Sequence, residues 1–435
     1  MKRKVVALGM AAALAVSMLA GCGSSGNSSS KEGGGASSDG SAIELTMWHY
    51  FEDPDVKVIE ALVDEYNSMQ DEVHVTATYL SREELMNQYT IGAVSGDLPD
   101  IGMVDSPDMA SYISLGVFAD ITEELNSWGE IDHFYAGNLA SCMDADKKIY
   151  GLPHNTNCLS LICNMDLLEK AGYDHVPASL KEFEEMALAA TDSADGTYGF
   201  AMCAISTEEG TFQLLPWLLG TQGGKNTTIA DIAADSAVTG LSALGGLVSQ
   251  GAMSTECVNW TQSDVYNQFV AEKAAMAEIG TWHLPLLYED VAEEDFKYQV
   301  CLLPTGDEET STSTVGGENF GVCSSTEHKA EAAEFIEWMC SADNQKKYAE
   351  EGGKLATRDD VTPEYSFLTD EFAVFQTQLE SAVARGPHES WPTISKSIYT
   401  MAQDVFLNGA DAAASLKTAA DTINPILEET PILEY

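Results

Sequence analysis

From residue 43 onward the apolar positions switch between two periods. Ile43–Trp48 reads as a strand. Asp53-Pro54 then reads as an N-cap followed by proline at the first helical position, and Val56, Ile59, Leu62, Val63, Tyr66 and Met69 continue at helical spacing. Val73, Val75, Ala77 and Tyr79 alternate with His74, Thr76 and Thr78, which predicts a second strand. Ser81-Arg82-Glu83-Glu84 has the form of a capping box opening another helix, which Ser95-Gly96-Asp97-Leu98-Pro99 breaks. Asp100–Asp105 is a third strand, and Ser106-Pro107 predicts one more helix start. This β-α-β-α-β rhythm argues for a parallel sheet covered by helices. Ligands then sit at the carboxyl ends of strands, where the loops after Trp48 and Val104 lie side by side.

The rhythm recurs. Ser179-Leu180-Lys181-Glu182 reads as a second capping box, ahead of Leu180, Phe183, Met186 and Ala190 on one face. Residues 327–350 form one long helical pattern with Ala332, Phe335, Ile336 and Met339 inward, stopping at Gly352-Gly353. From about residue 370 the pattern is nearly all helical. No repeat of fixed period is present.

The first 41 residues follow a different logic. Lys2, Arg3 and Lys4 precede an uncharged, mostly apolar run from Val5 to Leu19, and then comes Leu19-Ala20-Gly21-Cys22. This order resembles a bacterial lipoprotein signal, which implies removal of residues 1–21 and lipidation of Cys22. Residues 22–41 hold 6 Gly and 8 Ser, a flexible tether with a reach of about 25 Å. The protein is therefore expected at the cell membrane, facing outward, held by acyl chains that add about 0.8 kcal/mol per buried CH₂.

Charge narrows the partners. The 435 residues carry 21 Lys+Arg and 69 Asp+Glu, a formal charge of −48. Such a surface repels phosphate backbones and excludes nucleic acid as a partner. Eight cysteines remain after Cys22, none in a C-x-x-C pair and most in apolar company, so they read as small core residues. No nucleophile elbow, zinc-binding helix, phosphate loop or dinucleotide fingerprint occurs, so no cofactor, metal or catalytic residue is assigned. Asp144-Ala145-Asp146 faintly resembles a calcium loop, but Lys148 falls on a ligand position.

Tryptophans beside predicted turns stand out: Trp48, Trp217, Trp282 and Trp391. A sugar ring has apolar C–H faces and a rim of hydroxyls, so its site needs flat aromatics plus carboxylates, amides or guanidinium groups. Glu52, Asp105, Asn155, Asn157, Glu318, Asn319 and Arg385 stand on predicted loops or next to these plates. Core packing competes with this role, most strongly for Trp217, and Trp338 inside a helix is assigned to the core.

Several short segments, in order, carry a family resemblance. They are Gly96–Ile101, Leu115–Thr122, Tyr150–Pro153, Leu159–Leu168 and Ala171–Tyr173. Phe269–Met276, Gly280-Thr281-Trp282, Leu303-Pro304 and Gly316-Gly317 complete the set. From about Ile43 to its end the chain resembles the family 1 extracellular solute-binding proteins of ABC importers, the maltose-binding-protein group. Cys163 departs from that pattern, where an aromatic is usual. The resemblance implies an α/β fold of two lobes, each a mainly parallel sheet flanked by helices. The lobes would comprise residues 42–152 plus 319–360 and residues 153–318 plus 361–435. Hinge crossings would fall near Gly151–Asn155, Gly316–Phe320 and residue 360. It implies a monomer that binds an oligosaccharide and serves a membrane permease with its ATPase. The implied ligand contacts are Trp48, His49, Glu52, Asp105, Asn155, Asn157, Trp282, Gly317, Glu318, Arg385 and Trp391. A non-sugar solute, such as a phosphodiester or peptide, is the alternative ligand, and an exported glycoside hydrolase the alternative activity.

Overall fold

A computed structural model describes residues 42–220, 234–292, 295–306 and 311–432, together with 229 and 232. The expected signal segment, Cys22 and tether lie outside the described residues. The strands, in chain order, are β1 (Ile43–His49), β2 (Val73–Tyr79), β3 (Ile101–Asp105), β4 (Gly151–Pro153), β5 (Leu159–Asn164) and β6 (Tyr198–Ala201). They continue with β7 (Ala274–Gly280), β8 (Tyr298–Cys301), β9 (Ser313–Val315), β10 (Glu318–Val322) and β11 (Ala382–Ala384).

One sheet has the order β2-β1-β3-β10-β4, the other β6-β7-β5-β8, and β11 pairs with β9 in a two-stranded piece. The expected β-α-β-α-β unit is present: β1 pairs in parallel with β2 and β3. In each sheet one interior strand runs against the rest. β10 is antiparallel to β3 and β4, and β5 is antiparallel to β7 and β8. Strand direction is thus mainly parallel, while the pairings are mixed. The expected mainly parallel sheets are therefore present, and the one reversed strand in each arises because β5 and β10 enter a sheet directly from a crossing segment rather than over a helix.

The chain passes between the sheets in three places, and the crossings are bonded to one another. Thr156 and Leu355 exchange backbone hydrogen bonds of 3.0 Å each, and Asn157 and Gly316 exchange bonds of 3.1 and 2.8 Å. Gly317 has φ +142°, and a Cβ there would lie 2.2 Å from the Asn155 carbonyl oxygen, so only glycine fits this crossing.

Local chemistry sets several of the helix limits. Ser81 and Ser179 each accept a hydrogen bond from the backbone N–H three residues on. Neither box closes as expected: the Glu182 carboxylate instead accepts from the Ala178 N–H and meets His175. The first helix spans Asp55–Met69, so Pro54 is its cap position and Asp53 lies outside it. The helix expected at Ser106-Pro107 begins at Met109. The pattern over 327–350 is two helices, Lys329–Met339 and Ala342–Gly352, separated at Cys340-Ser341. The eight described cysteines are free, seven of them buried.

One buried acid tests the second sheet's core. Glu278 of β7 is fully buried, with Oε2 accepting from Trp217 Nε1 at 3.2 Å and Oε1 without a partner. Burial pushes its carboxyl well above the ordinary value of 4.5. Because the folded-state value is raised, its stability contribution is complete below about pH 4.5 and is lost as pH rises. Glu278→Gln removes that titration. The stability of the parent relative to this variant should fall by about 1.4 kcal/mol per pH unit above 4.5 while the folded chain keeps the proton. Urea midpoints between pH 5 and 9 check this; a constant difference would mean that the acid is not held neutral.

Candidate functional site

A cavity of about 430 Å³ opens between the two sheets at the bonded crossings. Its walls come from both halves. From the first sheet's side come Tyr50, Phe51, Glu52, Asp53 and Asp55 after β1, Arg82, and Asp105 at the end of β3. From the second come Glu208, Glu209 and Phe212 on the helix Glu208–Leu219, Thr261–Ser263, Trp282 just after β7, and Arg385 just after β11. The crossings supply Asn157, Gly317, Glu318 and Lys354.

Two ionic clusters organise these walls. Arg385 is buried and bonds Asp105 with both terminal nitrogens, at 2.9 and 2.7 Å, while Nη1 also reaches Glu208 at 2.7 Å. This guanidinium ties the end of a first-sheet strand to a second-sheet helix. Arg82 meets Asp108 at 2.5 Å and Asp105 at 3.6 Å. The second cluster is Lys354 with Asp55, 3.0 Å apart and nearly buried. Burial disfavours the Lys354 charge, yet Asp55 and Glu318 hold its value above the usual lysine range.

The aromatics sit against these cations. Lys354 Nζ stands 5.1 Å from the Trp282 ring centroid, and the Arg385 guanidinium 4.5 Å from that of Phe212. The two rings are 6.2 Å apart. Gly280 lets the Trp282 indole lie on the backbone, since a Cβ there would come within 2.0 Å of the ring.

Seven of the eleven residues expected from the sequence line this cavity: Glu52, Asp105, Asn157, Trp282, Gly317, Glu318 and Arg385. The other four do not, and each has a physical reason. Trp391 is fully buried in the second sheet's hydrophobic core, where Nε1 donates to Glu208 at 3.1 Å. It supports Glu208 from behind and offers no face to the cavity. Trp48 alternates away from the buried face of β1 and stacks on Tyr89, 6.2 Å away. His49 is buried between Phe51 and Tyr79, and burial lowers its value to about 4. Asn155 is buried at the crossing beneath Gly317.

Sequence reasoning missed Arg82, Glu208, Glu209, Phe212, Lys354 and the segment Thr261–Ser263. Two signals were available. With only 21 cations among 69 acids, a lysine directly after the Gly352-Gly353 stop stands out. Thr261 also forms a capping box with Asp264, so its helix start was readable.

The family model for bacterial extracellular solute-binding proteins matches residues 61–373. A probable ABC transporter-binding protein of Deinococcus radiodurans is 24% identical over 292 residues, 62% of this chain and 66% of that protein, just under two thirds of its length. Among solved structures, maltose-bound MalE3 of T. maritima superposes with a TM-score of 0.77 at 21% identity, covering 89% of this chain and 100% of that one. A solute-binding protein of Thermotoga lettingae bound with alpha-D-tagatose gives a TM-score of 0.79 at 24% identity, with coverage of 89% and 100%. The GacH receptor of Streptomyces glaucescens, solved unliganded and in complex with acarbose, gives 0.77 at 21%, covering 89% and 99%. These likenesses establish the two-lobed α/β fold. With the cavity between its sheets and a family match over most of its length, the chain belongs to the bacterial extracellular solute-binding proteins.

Proposed function

We propose that this protein captures a short saccharide in the cavity between its lobes and delivers it to an ABC permease with its ATPase. The observation that carries the reading is the cavity's composition: the Trp282 and Phe212 rings beside carboxylates and the Asn157 amide, drawn from both halves. Flat apolar plates suit C–H faces, and groups that accept or donate in pairs suit ring hydroxyls. The volume of about 430 Å³ lies at the lower end of small-molecule sites and suits a short chain of sugar units. The saccharide-bound relatives point the same way.

In this reading residues 42–152 with 319–360 form one lobe and residues 153–318 with 361–435 the other. A solute touching both favours the closed arrangement by its differential affinity, and the permease reads that arrangement. Cys22 carries the lipid anchor, the protein acts as a monomer outside the cytoplasm, and it binds its solute without converting it. A phosphodiester is the weaker reading, because Arg82, Lys354 and Arg385 already face carboxylates.

Thermal melting against mono- and disaccharides, short peptides and glycerophosphodiesters tests the proposal. A bound saccharide at a hundred times its Kd should add about 2.7 kcal/mol of stability. Shifts given by peptides or phosphodiesters and by no sugar would reject it. Product formed on incubation would instead point to a hydrolase.

A further inference from the structure

Within the saccharide reading, we propose that the solute carries a protonated amine, so that the cavity selects an amino sugar over its neutral counterpart. Seven carboxylates and three cations line the cavity. Every cation is already in contact with an acid: Lys354 with Asp55, Arg385 with Asp105 and Glu208, and Arg82 with Asp108. Four lining carboxylates remain; Asp53 pairs with Lys57 outside the cavity, so charge is left over on the acidic side in Glu318, Glu209 and Glu52.

These three differ in what holds them. Glu318 follows the Gly317 crossing, and its buried Oε2 has no hydrogen-bond partner. The nearby ammonium of Lys354 is bonded to Asp55, so it is shared between two carboxylates. Glu209 accepts a single backbone hydrogen bond, from the Gln262 N–H at 3.0 Å. Glu52 receives the Tyr79 hydroxyl at 3.1 Å nearer the rim. Burial raises the carboxyl values of both Glu318 and Glu209, and the partners that oppose it, Lys354 and the Asn155 amide at Glu318 and the Gln262 N–H and Arg82 at Glu209, offset it only in part.

Closing the lobes over a neutral sugar would seal this surplus away from water, which is costly for any unpaired charge. An ammonium on the sugar supplies the missing charge together with three donors and no acceptor, the complement of a wall made of carboxylate oxygens. The chain's charge of −48 would also draw such a cation toward the cleft. A metal ion is a poorer match: among the described residues the one cluster of three potential ligands is His133, Asp359 and Asp360, none of which lines the cavity.

The test is calorimetry at pH 7 on the whole mature chain with matched pairs: glucose, galactose, mannose and cellobiose, each against its 2-amino-2-deoxy form, and each amine against its N-acetyl derivative. At least one amine should bind tenfold or more tightly than its neutral partner, and N-acetylation, which removes the charge, should abolish the advantage. In Glu318→Gln, checked for an unchanged melting transition, the preference should drop below threefold; Glu209→Gln provides a second variant should the first not fold. Neutral sugars binding as tightly as the amines would overturn the amine and leave the saccharide reading intact. So would an amine preference that survives both substitutions. Spermidine binding with no sugar bound, or no binding by any probe, would overturn both.

Discussion

Arg385→Met is expected to lower the unfolding free energy by about 3–5 kcal/mol and to remove solute binding. The guanidinium is buried, donates to Asp105 with both arms and reaches Glu208, so its loss leaves Glu208 without a cation and Asp105 with only Arg82 at 3.6 Å. Breaking a buried pair from one side is far more damaging than removing the pair, since the remaining charge keeps its desolvation cost. Lysine should rescue little, because a point charge cannot match the two Asp105 oxygens together. Arg385→Met combined with Glu208→Leu should recover part of the loss, although the Trp391 indole then loses its acceptor and the Ser395 hydroxyl keeps only Thr211. Urea unfolding of the single and double variants decides the matter. A single variant as stable as the parent would show that solvent, not Arg385, compensates these acids.

The same cluster shows what was legible in the chain and what was not. Asp105 was readable as a site residue because a β-α-β rhythm puts the end of the third strand at the cleft, and strand order β2-β1-β3 obeys that logic. Nothing in the rhythm announces β10 or β4, which join the same sheet from distant parts of the chain through the crossings. Arg385 stands out as a rare cation close to Trp391 and its predicted turn, while its partner Glu208 is one of 69 acids with nothing in the sequence to single it out.

The tryptophans divide in the same way. Trp391 looks like a loop plate because Gly386-Pro387 precede it, yet Trp391, Ile394, Ile398, Met401 and Val405 make one apolar stripe on the helix Trp391–Asn408. That stripe carries it into the core. Trp48 sits on a strand whose Leu45, Met47 and His49 face inward, so its own ring must point the other way. Period alone could have reassigned both. It could not have shown that Phe212, from the helix Glu208–Leu219, would stand beside Trp282; that pairing exists only once the helix packs against the second sheet.

Trp282→Ala is expected to weaken saccharide binding at least tenfold, about 1.4 kcal/mol, while the protein stays folded. The indole is only half-buried, at the edge of the core, so truncation removes less packing than it would for the fully buried Trp217 or Trp391. What it does remove is the plate on which a sugar's C–H face would rest and the ring over which Lys354 stands. Lys354 remains bonded to Asp55, so the local charges stay paired and the affinity change reports the plate. Phenylalanine at this position keeps an apolar face and should restore part of the loss, whereas a purely structural role would give parallel losses of melting temperature and affinity in both variants. Calorimetry and thermal melting on the same samples separate the two cases. Unchanged affinity in a folded Trp282→Ala protein would take this residue out of the site and, with it, the reason for placing a sugar there.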